Sequence, residues 1–189
     1  VGSGNVTLGV NRLTITAGAD TFSGNISGTG GLTVSGGSQE LSGVNSYSGT
    51  TNVIGGTLAL SSSGNISNST NVNISSLAVL NLTGITSPAM IKTISGAGTI
   101  DVTGKTLNIT AGSGTFSGNI SGTGGNLTLS GGNLILSGTN TFSGNSNITS
   151  GELGLTGSGS LANAQTINVS SGATFNIACA TSEVSIKSL

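Results

Sequence analysis

The chain has 189 residues, and Gly, Ser, Thr and Asn supply 113 of them. Lys and Arg together number 4, Asp and Glu 5, one Cys is present, and His and Trp are absent. That inventory excludes a Ser-His-Asp triad, a Cys-His nucleophile, an imidazole metal site, an intrachain disulfide and the basic footprint that a phosphate backbone requires.

So much Gly and Ser suggests disorder only when apolar residues are scarce and charge is high. Here the mean hydropathy is +0.28. From the N-terminus, apolar residues alternate at Val6/Leu8/Val10, Leu13/Ile15, Leu32/Val34, Leu58/Leu60, Val72/Ile74 and Leu80/Leu82. The alternation resumes at Ile100/Val102, Leu107/Ile109, Leu127/Leu129, Leu134/Leu136, Leu153/Leu155, Ile167/Val169 and Phe175/Ile177. A period of two with two or three inward residues per run predicts short, half-buried strands. Ser-Gly, Gly-Gly and Asn-containing turns separate them, and Pro88 falls in one such turn. No stretch holds a helical period, and no apolar run is long enough for a membrane-spanning helix.

A longer order is superimposed on the strands. Residues 21–31 recur identically at 115–125, an offset of 94. Leu13 and Ile15 match Leu107 and Ile109 at that offset, and Val6 and Leu8 match Ile100 and Val102. The insertion of Asn126 raises the offset to 95, after which residues 41–49 match 136–144, Val72 to Ser76 match Ile167 to Ser171, and Ile91-Lys92 match Ile186-Lys187. The chain reads as one continuous solenoid built from two repeats, 1–94 and 95–189, and is expected to be an excerpt of a longer array, since neither end shows the polar capping repeat that a self-sufficient solenoid needs.

Strands this short cannot bury a face alone. Coiling the chain so that like strands stack in parallel joins their Val, Ile and Leu pairs into one interior. The predicted fold is all-β, a right-handed parallel β-helix of roughly nine or ten coils of about 20 residues. Its Asn and Thr side chains are expected to stack in hydrogen-bonded ladders, and each end presents an open strand edge.

Residues 41–58, LSGVNSYSGTTNVIGGTL, resemble the passenger-associated β-strand repeat of bacterial autotransporters, and residues 136–153 form a second copy with Ser150-Gly151-Glu152-Leu153 in place of the Gly-Gly-Thr-Leu ending. Residues 22–32, FSGNISGTGGL, resemble the run that precedes that repeat in the family. The resemblance implies a secreted Gly-rich β-helix displayed outside a Gram-negative cell, acting as the stalk or display segment of an adhesin. Membrane anchoring in that family belongs to a barrel, and this stretch is expected to insert in no membrane. The alternatives are a self-assembling extracellular filament and, least favoured, a polysaccharide-degrading β-helix enzyme. Expected partners are further copies of the chain or a cell-surface ligand, and not nucleic acid.

No catalytic, metal or cofactor-binding residues are expected. The acids Asp20, Glu40, Asp101, Glu152 and Glu183 are scattered, and none recurs at its repeat-equivalent position; paired acid–base chemistry needs two carboxyls at fixed spacing. Lys92 and Lys187 do recur and read either as a basic ladder or, preferably, as outward residues that discourage edge pairing. Phe22/Phe116 and Tyr47/Phe142 are expected to fill the interior or a corner rather than to stack on sugars. Cys179 reads as a buried small apolar residue. Thr14-Ile15-Thr16 opens no Thr-x-Thr series at every coil, so an ice-binding face is not expected. The eleven Asn-x-Ser/Thr sequons follow from composition. Gln39 stands where the second repeat has Leu134, and is either buried in a ladder or marks a slip of register.

Overall fold

In the computed structural model, which describes residues 2–189, the alternating runs become strands of two to seven residues, each paired in parallel with strands about one turn away in sequence. The product is a β-solenoid of about nine turns with three faces. Face I is a nine-stranded sheet from Leu13–Ile15 to Thr174–Ala180. At a rung spacing of about 4.8 Å the rod is about 40 Å long. Face II is a six-stranded sheet running from Thr21–Phe22 to Asn119–Ser121. Face III begins with the pair Val6–Thr7 and Ile26–Ser27. It continues through residues 44–47, which hydrogen-bond to Ile26, and Asn65, which bridges to Val44. It ends in five strands from Ala89–Ile91 to Ile167–Val169. Along the chain the order is always face III, face I, face II.

The period of two explains what holds the rungs together. Alternate residues point inward, and Leu32, Val34, Val53, Val72, Ile74 and Ile94 on face I are fully buried. Leu58, Leu80 and Ile100 stack in register on face II. Each such side chain contributes about 1.5–3 kcal/mol when fully removed from water. Three predicted inward residues do not follow the pattern, one of them Val169, 39% exposed on the last strand of face III. Val10 is 84% exposed, because its strand ends at Thr7 and the chain turns at Gly9, where φ is +60°. Ile177 is 47% exposed because it lies on the last rung, with no coil above it.

The sequence repeat and the coil are out of phase. The strand Leu32–Val34 lies on face I, but its repeat-equivalent, Asn126–Leu129, lies on face III. Ser38–Leu41 lies on face II, and its equivalent Asn133–Leu136 on face I. Counting sides along the chain from Val6–Thr7 to its equivalent Thr99–Asp101 gives fourteen, which is four and two-thirds turns. Each repeat is therefore rotated by a third of a turn from the one before. The local bonding is preserved through the rotation. Ser46 and Tyr47 donate N–H bonds to the Ile26 carbonyl at 2.9 and 3.1 Å on face III, and Thr141 and Phe142 donate to the Ile120 carbonyl at 2.9 and 3.2 Å on face II. The three sides of the cross-section are thus interchangeable settings for one strand-and-turn unit.

Candidate functional site

The polar side chains divide into those that close the coil and those that coat it. Asn45 and Asn140 close it. Both are 2% exposed. Asn45 Oδ1 accepts the Ile26 N–H at 3.1 Å while Nδ2 donates to the Gly43 carbonyl at 2.9 Å. Asn140 Oδ1 accepts the Ile120 N–H at 3.0 Å, and Nδ2 donates to the carbonyls of Gly138 and Ser160 at 3.0 and 3.2 Å. These are the Asn of the Leu-Ser-Gly-x-Asn motif, and they satisfy backbone groups where the chain bends from one face to the next.

Tyr47, Phe116 and Phe142 are fully buried, and Phe22 is half-buried beside the open N-terminal end. The Tyr47 phenol lies 2.6 Å from Thr51 Oγ1, which donates to Ser69 Oγ at 3.0 Å; Ser69 in turn donates to the Gly49 and Asn71 carbonyls. Burial pushes the Tyr47 pKa well above the ordinary phenol value, against the smaller opposing effect of its bond to Thr51. The second repeat has Phe142, Ser146 and Ala164 in these three places, and the buried Ser146 Oγ has no partner. An orphaned buried hydroxyl costs about 1–3 kcal/mol. Ser146→Ala is expected to raise stability by about 1 kcal/mol, read as an upward shift of the urea midpoint at unchanged slope.

The acids do not converge. Glu40 accepts from Thr21 Oγ1 at 3.2 Å and from Ser61 Oγ, bridging three successive rungs of face II. Asp101 lies on the same column as Glu40 but three rungs away, and accepts from the N–H and Oγ1 of Thr103. Glu152 accepts from Asn176 Nδ2 at 2.6 Å on face I. Asp20 and Glu183 are exposed near opposite ends. Among the described residues no three His, Cys, Asp or Glu side chains cluster as metal ligands would.

Lys92 and Lys187 make the same bond at different corners. Lys92 Nζ donates to the Asn68 carbonyl and Lys187 Nζ to the Asn163 carbonyl, each at 2.9 Å and each 24 residues back. The third-turn rotation between repeats forbids a basic ladder on one face. Each lysine instead braces a wide coil. Arg12 reaches Thr33 Oγ1 and Thr50 Oγ1 at 3.2 Å each and ties the first three coils together. Gln39 is buried with its register intact opposite Leu58. It does not pair with a like side chain; Nε2 donates to the Asp20 and Glu40 carbonyls at 2.9 Å. Cys179 is exposed, contrary to the sequence expectation, because it sits outward on the final strand opposite Thr156.

The coat is a pair of neutral columns, the Asn and Thr ladders expected of stacked coils, whose positions the sequence alone did not place. On face I the outward residues Thr14, Thr33, Asn52, Asn73 and Ser95 stack in register. On face III Asn108, Thr128, Asn147 and Asn168 do the same. Asn168 Nδ2 donates to Asn147 Oδ1 at 2.7 Å, Ser130 Oγ to Asn108 Oδ1 at 2.8 Å, and Ser95 Oγ to Asn73 Oδ1 at 3.1 Å. A search for Thr-x-Thr was too narrow; Asn and Thr interchange at these positions. The sequons of Asn73, Asn108, Asn147 and Asn168 fall on these columns. A cleft of about 160 Å³ opens where residues 86–91 pass residues 63–66, just beyond the last paired positions Ile85 and Ser62, and its lining carries no ionisable side chain.

Two side chains beside these surfaces sit in the left-handed backbone region: Ser62 at φ +52° and Leu77 at φ +71°, with Leu77 97% exposed. Their equivalents in the second repeat are Gly157 at φ +56° and Gly172 at φ +80°. A non-glycine residue there costs about 1–2 kcal/mol. Leu77→Gly loses no packing and is expected to stabilise by about 0.5–1 kcal/mol once the extra chain entropy of glycine is counted; thermal and urea midpoints measure it. No family model, curated protein or solved structure matches the chain.

Proposed function

We propose that the chain is a non-enzymatic structural segment of a secreted bacterial surface protein, the stalk or display rod of an autotransporter-like adhesin. The observation that carries this reading is where the side-chain chemistry is spent. Asn45, Asn140, Gln39, Lys92, Lys187 and Arg12 all hydrogen-bond to neighbouring coils, and Glu40 bridges three of them. A rod of this kind has length in proportion to coil number, so added repeats extend reach without a new fold. The motif resemblance of residues 41–58 and 136–153 points to the bacterial cell surface as its place. Any ligand would meet columns of hydroxyls and amides rather than charge, and its binding would depend little on salt.

The test is antibody labelling. An antibody raised against the 189-residue chain should label intact producing cells; labelling only after permeabilisation overturns the surface assignment. Incubation with a panel of acidic and neutral polysaccharides should release no reducing ends. Release that Glu40→Gln abolishes would overturn the structural reading in favour of a hydrolase or lyase.

A further inference from the structure

Midway along the rod, one strand of face III is paired on one side only, and the cleft beside it is the result. Thr86 N–H and Oγ1 both donate to the Ser62 carbonyl at 2.9 Å. Beyond that point no backbone hydrogen bond joins residues 87–91 to residues 63–66 of the coil below. On its other side Ala89–Ile91 pairs in register with Leu107, Asn108 and Ile109. The Thr110 N–H donates to the Ile91 carbonyl at 2.9 Å, which fixes how this ladder alternates. In a parallel pair one residue turns both backbone groups to one neighbour, and the next residue turns both to the other. Ala89 and Ile91 therefore face the coil above. The Met90 N–H and carbonyl face the cleft, where they have no backbone partner among the described residues.

The segment is pinned in this position. Lys105 Nζ donates to the Ile85 carbonyl at 2.6 Å, and Lys92 Nζ to the Asn68 carbonyl at 2.9 Å. Pro88 fixes one φ between them. Both ammonium groups are thus spent on backbone, and the lining itself is uncharged. Leu60, Ile66, Ile85 and Ile91 make a buried apolar floor. Ser62, Ser63, Asn65 and Ser87 give the rim hydroxyls and an amide, and Pro88 and the exposed Met90 give it an apolar side. Ser62 is a second, independent sign of a site. It keeps a side chain at φ +52° where the second repeat has Gly157 at φ +56°, and strained side chains that persist concentrate at ligand clamps.

We infer that this cleft binds a single neutral pyranose ring through two neighbouring hydroxyls. The N–H and carbonyl of one extended residue point the same way, side by side. One sugar hydroxyl accepts from the Met90 N–H while its neighbour donates to the Met90 carbonyl, and the C–H face of the ring lies on Pro88 and Met90. A peptide strand fits worse, because it needs several open backbone positions in succession. Here the preceding residue turned the same way is Pro88, which has no N–H to give. The volume of about 160 Å³, against about 300–1,000 Å³ for ordinary ligand pockets, admits one ring and no longer stretch of glycan. An acidic sugar would leave its carboxylate unpaired in an uncharged cleft. The inference rests on the cleft and not on the display function.

The test is an amide NMR titration of the full chain with methyl glucopyranoside, methyl galactopyranoside and methyl mannopyranoside. At least one should shift the Met90 amide saturably, with a dissociation constant on the order of 1 mM. Glucuronate should bind at least about tenfold more weakly than the best neutral sugar. Met90→Pro removes the donor without breaking the ladder, since an edge strand accepts proline on its open side. Read at the Ser62 and Ile66 amides, it should abolish the response, and Met90→Leu should keep it. Ser62→Gly relieves the strained φ, so it folds at least as well, and should weaken binding about three- to tenfold. Equal binding of a methyl disaccharide marks the ligand as the end of a glycan, and binding of the monosaccharides alone marks it as a free sugar; either supports the proposal. No saturable shift with any of the three sugars overturns it. So do unchanged affinity in Ser62→Gly, binding that survives Met90→Pro, and a stronger response to an acetylated tripeptide amide. The stalk reading, tested by surface labelling, is left standing by each of these failures.

Discussion

Asn140→Ala and Asn45→Ala should each lower stability by about 1–3 kcal/mol, although both residues lie on turns. The expectation follows from what alanine leaves behind. In Asn140→Ala the Ile120 N–H loses its side-chain acceptor, and the Gly138 and Ser160 carbonyls lose a shared donor. In Asn45→Ala the Ile26 N–H and the Gly43 carbonyl are stripped in the same way. The carbonyls keep backbone donors, the Ser160 N–H on Gly138, the Asn140 N–H on Ser160 and the Asn65 N–H on Gly43, so the full desolvation cost of about 1–3 kcal/mol falls on the one orphaned isoleucine N–H of each variant, buried beside a side chain that is 2% exposed. Asn45→Asp separates the two halves of the interaction. It keeps the acceptor for Ile26 but sets a buried charge against the Gly43 carbonyl. It should be no better than alanine at pH 7 and should recover as the carboxyl protonates and regains a donor. Urea unfolding of the three variants, with slopes compared to check that the transition stays cooperative, decides the matter. A loss below about 0.5 kcal/mol for both alanine variants would mean that the bend carries its own backbone bonds, and that the motif Asn is a passenger.

Those two asparagines mark how far the sequence can be read. Strand positions and their parallel stacking were legible, because period-two runs such as Leu32/Val34 and Leu127/Leu129 are local and the 94-residue offset is written in identical residues. The role of Asn45 was not, since its partner is the Ile26 amide one coil earlier, and only the coil length places the two together. The rotation between repeats was hidden for the same reason. It depends on counting sides through residues 44–47 and 65, which complete face III without forming a regular strand. Lys92 and Lys187 therefore aligned perfectly in sequence, yet they point from different corners. Ile177 was misplaced because burial on the last rung depends on a neighbour above, and Cys179 because a register shift between Asn176 and Cys179 turns it outward opposite Thr156. Ser146 needed the opposite comparison. Its orphaned hydroxyl is explained only by setting Phe142 and Ala164 beside Tyr47 and Ser69.

The motif glycine two residues before each asparagine sets the second large effect. A Cβ on Gly138 would lie 2.1 Å from the Gly118 carbonyl oxygen and 2.6 Å from that of Ser117; on Gly43 it would lie 2.1 Å from the Gly24 oxygen. The obstacle is backbone of the rung below, and backbone there cannot swing aside as a side-chain tip could. Relief requires the rungs to part, which strains the Ser160 N–H bond to the Gly138 carbonyl and the adjoining Asn140 bonds. Gly138→Ala should therefore cost about 3 kcal/mol, at the upper end of overpacking penalties. Gly154→Ala is the control. The nearest atom to its Cβ would be Ile135 Cγ1 at 3.5 Å, an ordinary contact. Alanine there should be neutral or stabilise by about 0.4–1 kcal/mol through the unfolded chain. If both variants lose stability equally, the cost is a general one of glycine replacement. If only Gly138→Ala falls, close approach of successive rungs explains why this glycine stands in both motif copies, and the same contact limits how far the coils can slide past one another.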